Sequence, residues 1–171
     1  MRLLFLLGFL LCGCITAERP LGSEPPDPAL AGLWVCQEDP NNNLYLHVLL
    51  HPSLPEATVV RVVEPLNEQG AMAGAEQVRV LLTRDGYASM KLPEQGYLLA
   101  RYELSGERLG VRFPVYDPVA RAIEQGKLSG RAWTTTWGEN VTLSSGVAEL
   151  KEQLVWGPAQ VFQRVSLPLA R

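Results

Sequence analysis

The sequence predicts a mainly β fold: an antiparallel barrel of about 8–10 strands with two short helices. Three observations lead there. Several segments alternate apolar and polar residues with period two, the pattern of half-buried antiparallel strands. Asp85-Gly86 and Ser105-Gly106 are hairpin-type dipeptides, each set between such segments. So many strands leave many edges, and closure into a barrel removes them, with a sandwich as the second solution.

The elements follow in chain order. Gly32-Leu33-Trp34 opens the first strand, and Pro40-Asn41-Asn42-Asn43 is a loop. Leu44 to His51 sets Leu44, Leu46, Val48 and Leu50 against Tyr45, His47 and His51. Thr58 to Glu64 is valine-rich around Arg61, and a longer loop runs from Glu64 to Gly74. Glu76 to Thr83, Tyr97 to Leu104 and Arg108 to Phe113 each alternate. Asp117 reads as an N-cap with Pro118 at the first helical position, and Gly126 lies just past the end. Leu128 to Trp137 and Asn140 to Ser144 form a hairpin across Gly138-Glu139. A second helix starts near Ser145-Gly146 with Val147, Leu150 and Leu154 on one side. Val161 to Leu167 is the last strand candidate.

The chain has 171 residues, 47% of them hydrophobic and 19% charged, which suits one domain and disfavours disorder. A net charge of −3 speaks against a nucleic-acid partner, which wants a basic face.

The amino terminus carries an address. Arg2 precedes an apolar run from Leu3 to Leu11. A bilayer-spanning helix needs about 20 apolar residues, so this run has the length of a signal-peptide core instead. It ends in Leu11-Cys12-Gly13-Cys14, which resembles the lipobox of bacterial lipoproteins. That resemblance implies a signal peptide over residues 1–13 and cleavage before Cys14. It also implies a diacylglyceryl group on the Cys14 sulfur and usually a third acyl chain on the new amine. An ordinary secretory signal cleaved near Ala17 is the competing reading. Two or three acyl chains make a stable anchor where one is marginal. Ile15 stands where an Asp would favour inner-membrane retention, so the resemblance implies the outer membrane, facing the periplasm.

Residues 14–29 read as a lipidated cysteine followed by a flexible tether, since Pro20, Pro25, Pro26 and Pro28 accompany Glu18, Glu24 and Asp27 without an apolar period. The β domain is then residues 30–171. Cys12 leaves with the signal and Cys14 becomes a thioether, so Cys36 is the one remaining thiol. Burial is the expectation for it, with an intermolecular partner as the alternative.

Gly32-Leu33-Trp34 resembles the Gly-x-Trp that begins the first strand of lipocalins. In that family an arginine near the carboxy terminus lies over the indole and plugs one end of the barrel; the resemblance assigns that part to Arg164. It covers the two ends of the chain and not the middle, where no Thr-Asp-Tyr-type motif occurs and the Asp117–Gly126 helix is extra. Simple core packing accounts for Trp34 as well, and on a strand it shares a face with Cys36.

Catalytic chemistry finds little support. His47 and His51 share a strand face but stand about 13 Å apart, too far for one metal ion. No His-x-His, Cys-x-x-Cys or Glu-x-x-His spacing occurs, and nothing orients a Cys36–His47 dyad. The acids sit mostly beside turns or on polar faces, and no glycine-rich phosphate loop follows a strand. No metal and no cofactor is expected. Asn140-Val141-Thr142 matches a glycosylation sequon, which carries little meaning in a bacterium. Trp133 and Trp137 share a strand face with Arg131 and Thr135, either in the core or as an outward patch that meets a partner. The opposite face (Leu128, Gly130, Ala132, Thr134) is small enough to line a barrel interior. The expectation is a non-enzymatic, lipid-anchored protein that binds a small apolar ligand, or else a module that docks an envelope protein.

Overall fold

The computed structural model describes residues 15–39, 42–51, 54–65, 75–136 and 138–165. Residues 1–14, where a signal peptide and the Cys14 lipidation site are expected, Trp137, and most of the Glu64–Gly74 segment lie outside them. Among the described residues there are eleven strands: β1 (Ile15–Ala17), β2 (Gly32–Asp39), β3 (Asn42–Leu50), β4 (Glu56–Pro65), β5 (Ala75–Leu82), β6 (Tyr87–Leu92), β7 (Gly96–Ser105), β8 (Arg108–Arg112), β9 (Gly130–Thr135), β10 (Gly138–Leu143) and β11 (Gln160–Arg164). Helix α1 spans Tyr116–Glu124 and α2 spans Val147–Gln153.

Strands β2 to β8 follow one another as antiparallel neighbours, and β11 lies between β8 and β2 and closes the ring. The result is an eight-stranded antiparallel barrel of lipocalin-like form with two short helices, the fold class expected. Following the pairings once round the ring returns to β2 displaced by about 12 residues, a strand tilt of roughly 45°, and a barrel of this size holds its own side chains or one small ligand.

The remaining strands form a side sheet. Strand β1 pairs antiparallel with the start of β7 and parallel with β10, and β10 pairs with β9. The sheet's inner side carries Ile15, Ala17, Leu99, Val141 and Leu143, covered by α1, α2 and Leu21 into a second core. The β6–β7 wall is therefore buried on both faces: Leu99 packs outward into this second core, while Tyr102 packs inward.

Three expectations need correction. The flexible tether is not one: Ile15, Ala17 and Leu21 are buried, the Leu21 backbone N–H donates to Ser89 Oγ at 2.9 Å, and the Glu24 N–H donates to the Leu82 carbonyl at 3.0 Å. Proline removes donors but leaves an extended chain that lies against a wall, and a three-residue strand needs no apolar period. The folded domain thus starts by Ile15, not residue 30. Second, Gly130 and Ala132 face the helical layer and not the barrel interior, because β9 pairs only through β10 to β1. Third, α1 begins at Tyr116 with Val115 as N-cap, so Asp117 sits in the first turn, where its charge still favours the helix dipole. Strand β6 is an addition to the strands expected: Ala88, Met90 and Leu92 alternate with Ser89 and Lys91, but over only six residues.

Candidate functional site

One end of the barrel is plugged. A 3-10 turn over Pro28–Leu30 precedes β2, with the Asp27 carboxylate accepting from the Ala29 N–H at 2.8 Å. Trp34 is fully buried, and its Nε1–H donates to the Leu30 carbonyl at 3.0 Å. The Arg164 guanidinium lies 4.3 Å from the Trp34 ring centroid. It also donates to the Ala31 carbonyl at 2.8 Å and to the Ala29 carbonyl, tying the last strand to the turn that covers the barrel end.

Gly32 has a structural reason within this plug. Its φ is +134°, and a Cβ there would sit 2.8 Å from Arg164 Nη1. The Gly-x-Trp spacing and the distant arginine are one device: the glycine leaves room for the cation that covers the indole two residues on.

Inward-facing residues follow from the register, since directly paired residues share a face. Around the plug, Trp34, Val48, Ala57, Leu82, Tyr102, Leu109 and Phe162 are all buried. Tyr102 donates its hydroxyl to the Thr83 carbonyl. Burial, then the charges of Asp27, Asp85 and Glu24, push its phenol up to about 12. Cys36 is buried on the same face, opposite Leu44, and is a free thiol.

Toward the other end the inward residues change character. Leu44, Leu46, Val59, Val78, Val80, Met90 and Leu98 are only half-buried. Directly opposite each other on this face stand Arg61 and Glu76, whose charged groups approach to 3.8 Å. Among the described residues the inward side chains are thus mostly buried around the plug and half-buried toward the other end, where Arg61 and Glu76 stand among apolar neighbours. In the sequence Arg61 is a charge amid valines; its register with Leu46 on one side and Glu76 on the other is what turns it inward.

The other singled-out residues lie elsewhere. His47 and the Leu33 position it pairs with face away from the barrel interior, with His47 and His51 both exposed. No group of three metal-ligating side chains gathers among the described residues. Trp133 is exposed on β9, with the Arg131 guanidinium 5.9 Å from its ring centroid. These two line a cleft of about 540 Å³ with Glu18, Gly130, Thr142 and Ser144. Outside the barrel, Lys151 donates to Asp85 at 2.6 Å and lies 4.7 Å from the Tyr87 ring centroid. No helix of the described residues is long and apolar enough to cross a membrane.

No protein-family model, curated protein or solved structure matches the chain.

Proposed function

We propose that this chain is a non-enzymatic lipoprotein, anchored through acylated Cys14 in the outer membrane and facing the periplasm, whose barrel takes a small apolar ligand. The observation that carries the ligand is the contrast within the barrel. Its inward side chains are mostly buried around Trp34, but Leu44, Val78, Met90 and Leu98 stay half-buried toward the other end. Apolar surface left accessible inside a barrel costs about 25 cal/mol per Å², and an apolar guest recovers it. The anchoring rests on Leu11-Cys12-Gly13-Cys14.

Native mass spectrometry of the unlipidated chain from Ile15 onward, exported to the periplasm of its own host and purified from it, tests the ligand. A truncation at residue 29 is unsuitable, because it removes β1 and Leu21 from the second core. The expected result is a bound mass of a few hundred daltons that Leu98→Trp displaces while the melting curve is kept. A bare mass in the native protein sinks the carrier reading and turns attention to docking of an envelope protein. Anchoring has its own test: Cys14→Ala should move the protein from the detergent phase to the aqueous phase in a Triton X-114 partition.

A further inference from the structure

We propose that the β9–β10 hairpin is a membrane-docking element, with Trp133 and Arg131 seated in the headgroup layer of the bilayer that holds the anchor. This rests on the anchored reading above and adds to it the orientation of the domain.

The first argument is reach. Ile15, the first residue of β1, follows Cys14 directly in the chain, and consecutive Cα atoms are about 3.8 Å apart. With β1 paired on both sides, no spacer separates the folded sheet from the acylated residue. The domain sits against the lipid, and some face of it meets the headgroups.

Direction narrows the face to the end of the sheet at which β1 begins, which the β9–β10 hairpin shares with the β7–β8 turn, and the side-chain chemistry chooses between them. Strand β1 runs parallel to β10, with Ile15 opposite Val141. Moving back along β1 toward the anchor is therefore moving back along β10 through Asn140 and Glu139 to the hairpin turn. From Val141 to Gly138 the hairpin extends about 10 Å further in that direction. Its first strand, β9, is the last in the sheet, and Trp133 pairs with Asn140, so Trp133 lies level with the residue that precedes Ile15's partner.

The chemistry fits an interface. All six residues of β9 are exposed, and Trp133 keeps 37% of its surface open. Tryptophan is enriched at the membrane–water boundary, where its ring meets the acyl boundary and its N–H meets water. Arg131 stands on the same face and suits a lipid phosphate. Glu139, the acid of the hairpin, pairs with Thr134 and so points to the opposite face. Gly130, Ala132, Thr134 and Thr135, all uncharged, complete the strand. Because β9 ends the sheet, its outer edge needs hydrogen-bonding partners, which the hydrated headgroup layer supplies and the hydrocarbon does not.

The test uses the full lipidated protein, purified from native membranes and reconstituted into phosphatidylethanolamine/phosphatidylglycerol vesicles containing lipids brominated near the headgroup. Intact mass is recorded first. Bromine quenches nearby indoles, and Trp34 is shielded by its burial. The expected outcome is quenched tryptophan emission in the native protein, with the quenched fraction at least halved in Trp133→Phe. An acylated protein whose emission the bromines leave untouched, or whose quenching is equal in Trp133→Phe, overturns the docking and leaves the anchor standing. A mass without acyl chains overturns both. Shielding of Trp133 in native envelopes but not in protein-free vesicles also overturns it, and assigns the strand to a protein partner.

Discussion

Inside the barrel, Trp34, Leu109 and Phe162 pack from strands that mostly follow one another through the chain. On the far side of the same β6–β7 wall, Leu99, Val141 and Leu150 pack from an isolated strand, a hairpin and two helices. The barrel core is built from hairpin neighbours, with only β11 brought from a distance. The outer core depends on long-range meetings, such as the Thr16 hydroxyl donating to the Val141 carbonyl across 125 residues of chain. Local pairings form at low loop-closure cost, whereas distant ones form only once the chain is already compact. The outer core therefore takes its shape from the barrel wall, and β1 is its most dependent part. Gly96 shows how closely: at φ +87° it has no Cβ where the Ala17 carbonyl comes in against β7.

The sharpest way to break this comparison is to damage each core separately. Trp34→Ala should cost about 3–5 kcal/mol, since it opens a cavity and strips Arg164 and the Leu30 carbonyl of their partner. The check is a urea midpoint shift at unchanged slope. Leu143→Ala, in the outer core, should cost about 2–5 kcal/mol and still melt in a single transition, because the cores share one wall. Near- and far-ultraviolet circular dichroism that separate into two transitions would show the cores to be independent.

Finer changes sharpen the contrast between the plug and the periphery. Tyr102→Phe should cost about 1 kcal/mol at neutral pH through the lost hydrogen bond to Thr83. Its pH dependence has a definite sign. The folded phenol is pushed above its ordinary value, so its contribution is complete below about pH 10 and is lost as the pH rises toward 12. Native stability should fall over that window and the variant's should fall less, as thermal melts at pH 9 and pH 11 would reveal.

The smallest effect is expected at the surface. Burial pushes the Asp85 carboxyl up, but hydrogen bonds from Lys151 and Thr83 and the Lys151 charge together hold it below the ordinary value. Stability from this pair is present above about pH 4 and lost as the pH falls below it. Both side chains keep solvent contact, so Lys151→Ala should lower stability by well under ~1 kcal/mol. A melting difference that persists at pH 2 would show that the loss comes from packing on Tyr87 instead.

Alternation made the barrel legible: Leu44 to His51, Glu76 to Thr83 and Tyr97 to Leu104 fall in β3, β5 and β7 but for the end residues His51 and Thr83, because one face of each meets a core and the other meets water or a second layer. The plug was legible too, from Gly32, Trp34 and Arg164, since a ring and a cation identify one another across any chain separation. The outer core was not. Ile15, Ala17 and Leu21 sit among prolines and acids in a segment with no period, and their burial depends on a wall that the local sequence does not contain. The barrel mouth was hidden for a related reason. Arg61 and Glu76 come to face each other only through the pairing of β4 with β5 across a long loop.

By itself, then, the sequence determined the class of fold, the faces of the alternating barrel strands and the plug, all of which are short-range patterns or single recognisable motifs. Tertiary structure alone decided which inward side chains are buried around the plug and which stay half-buried toward the other end. It alone placed the amino-terminal segment as a strand beside β7 and β10 and turned Trp133 outward on the last strand of the sheet. Those outcomes depend on which distant strands pair and in what register, and no local run of residues carries that information.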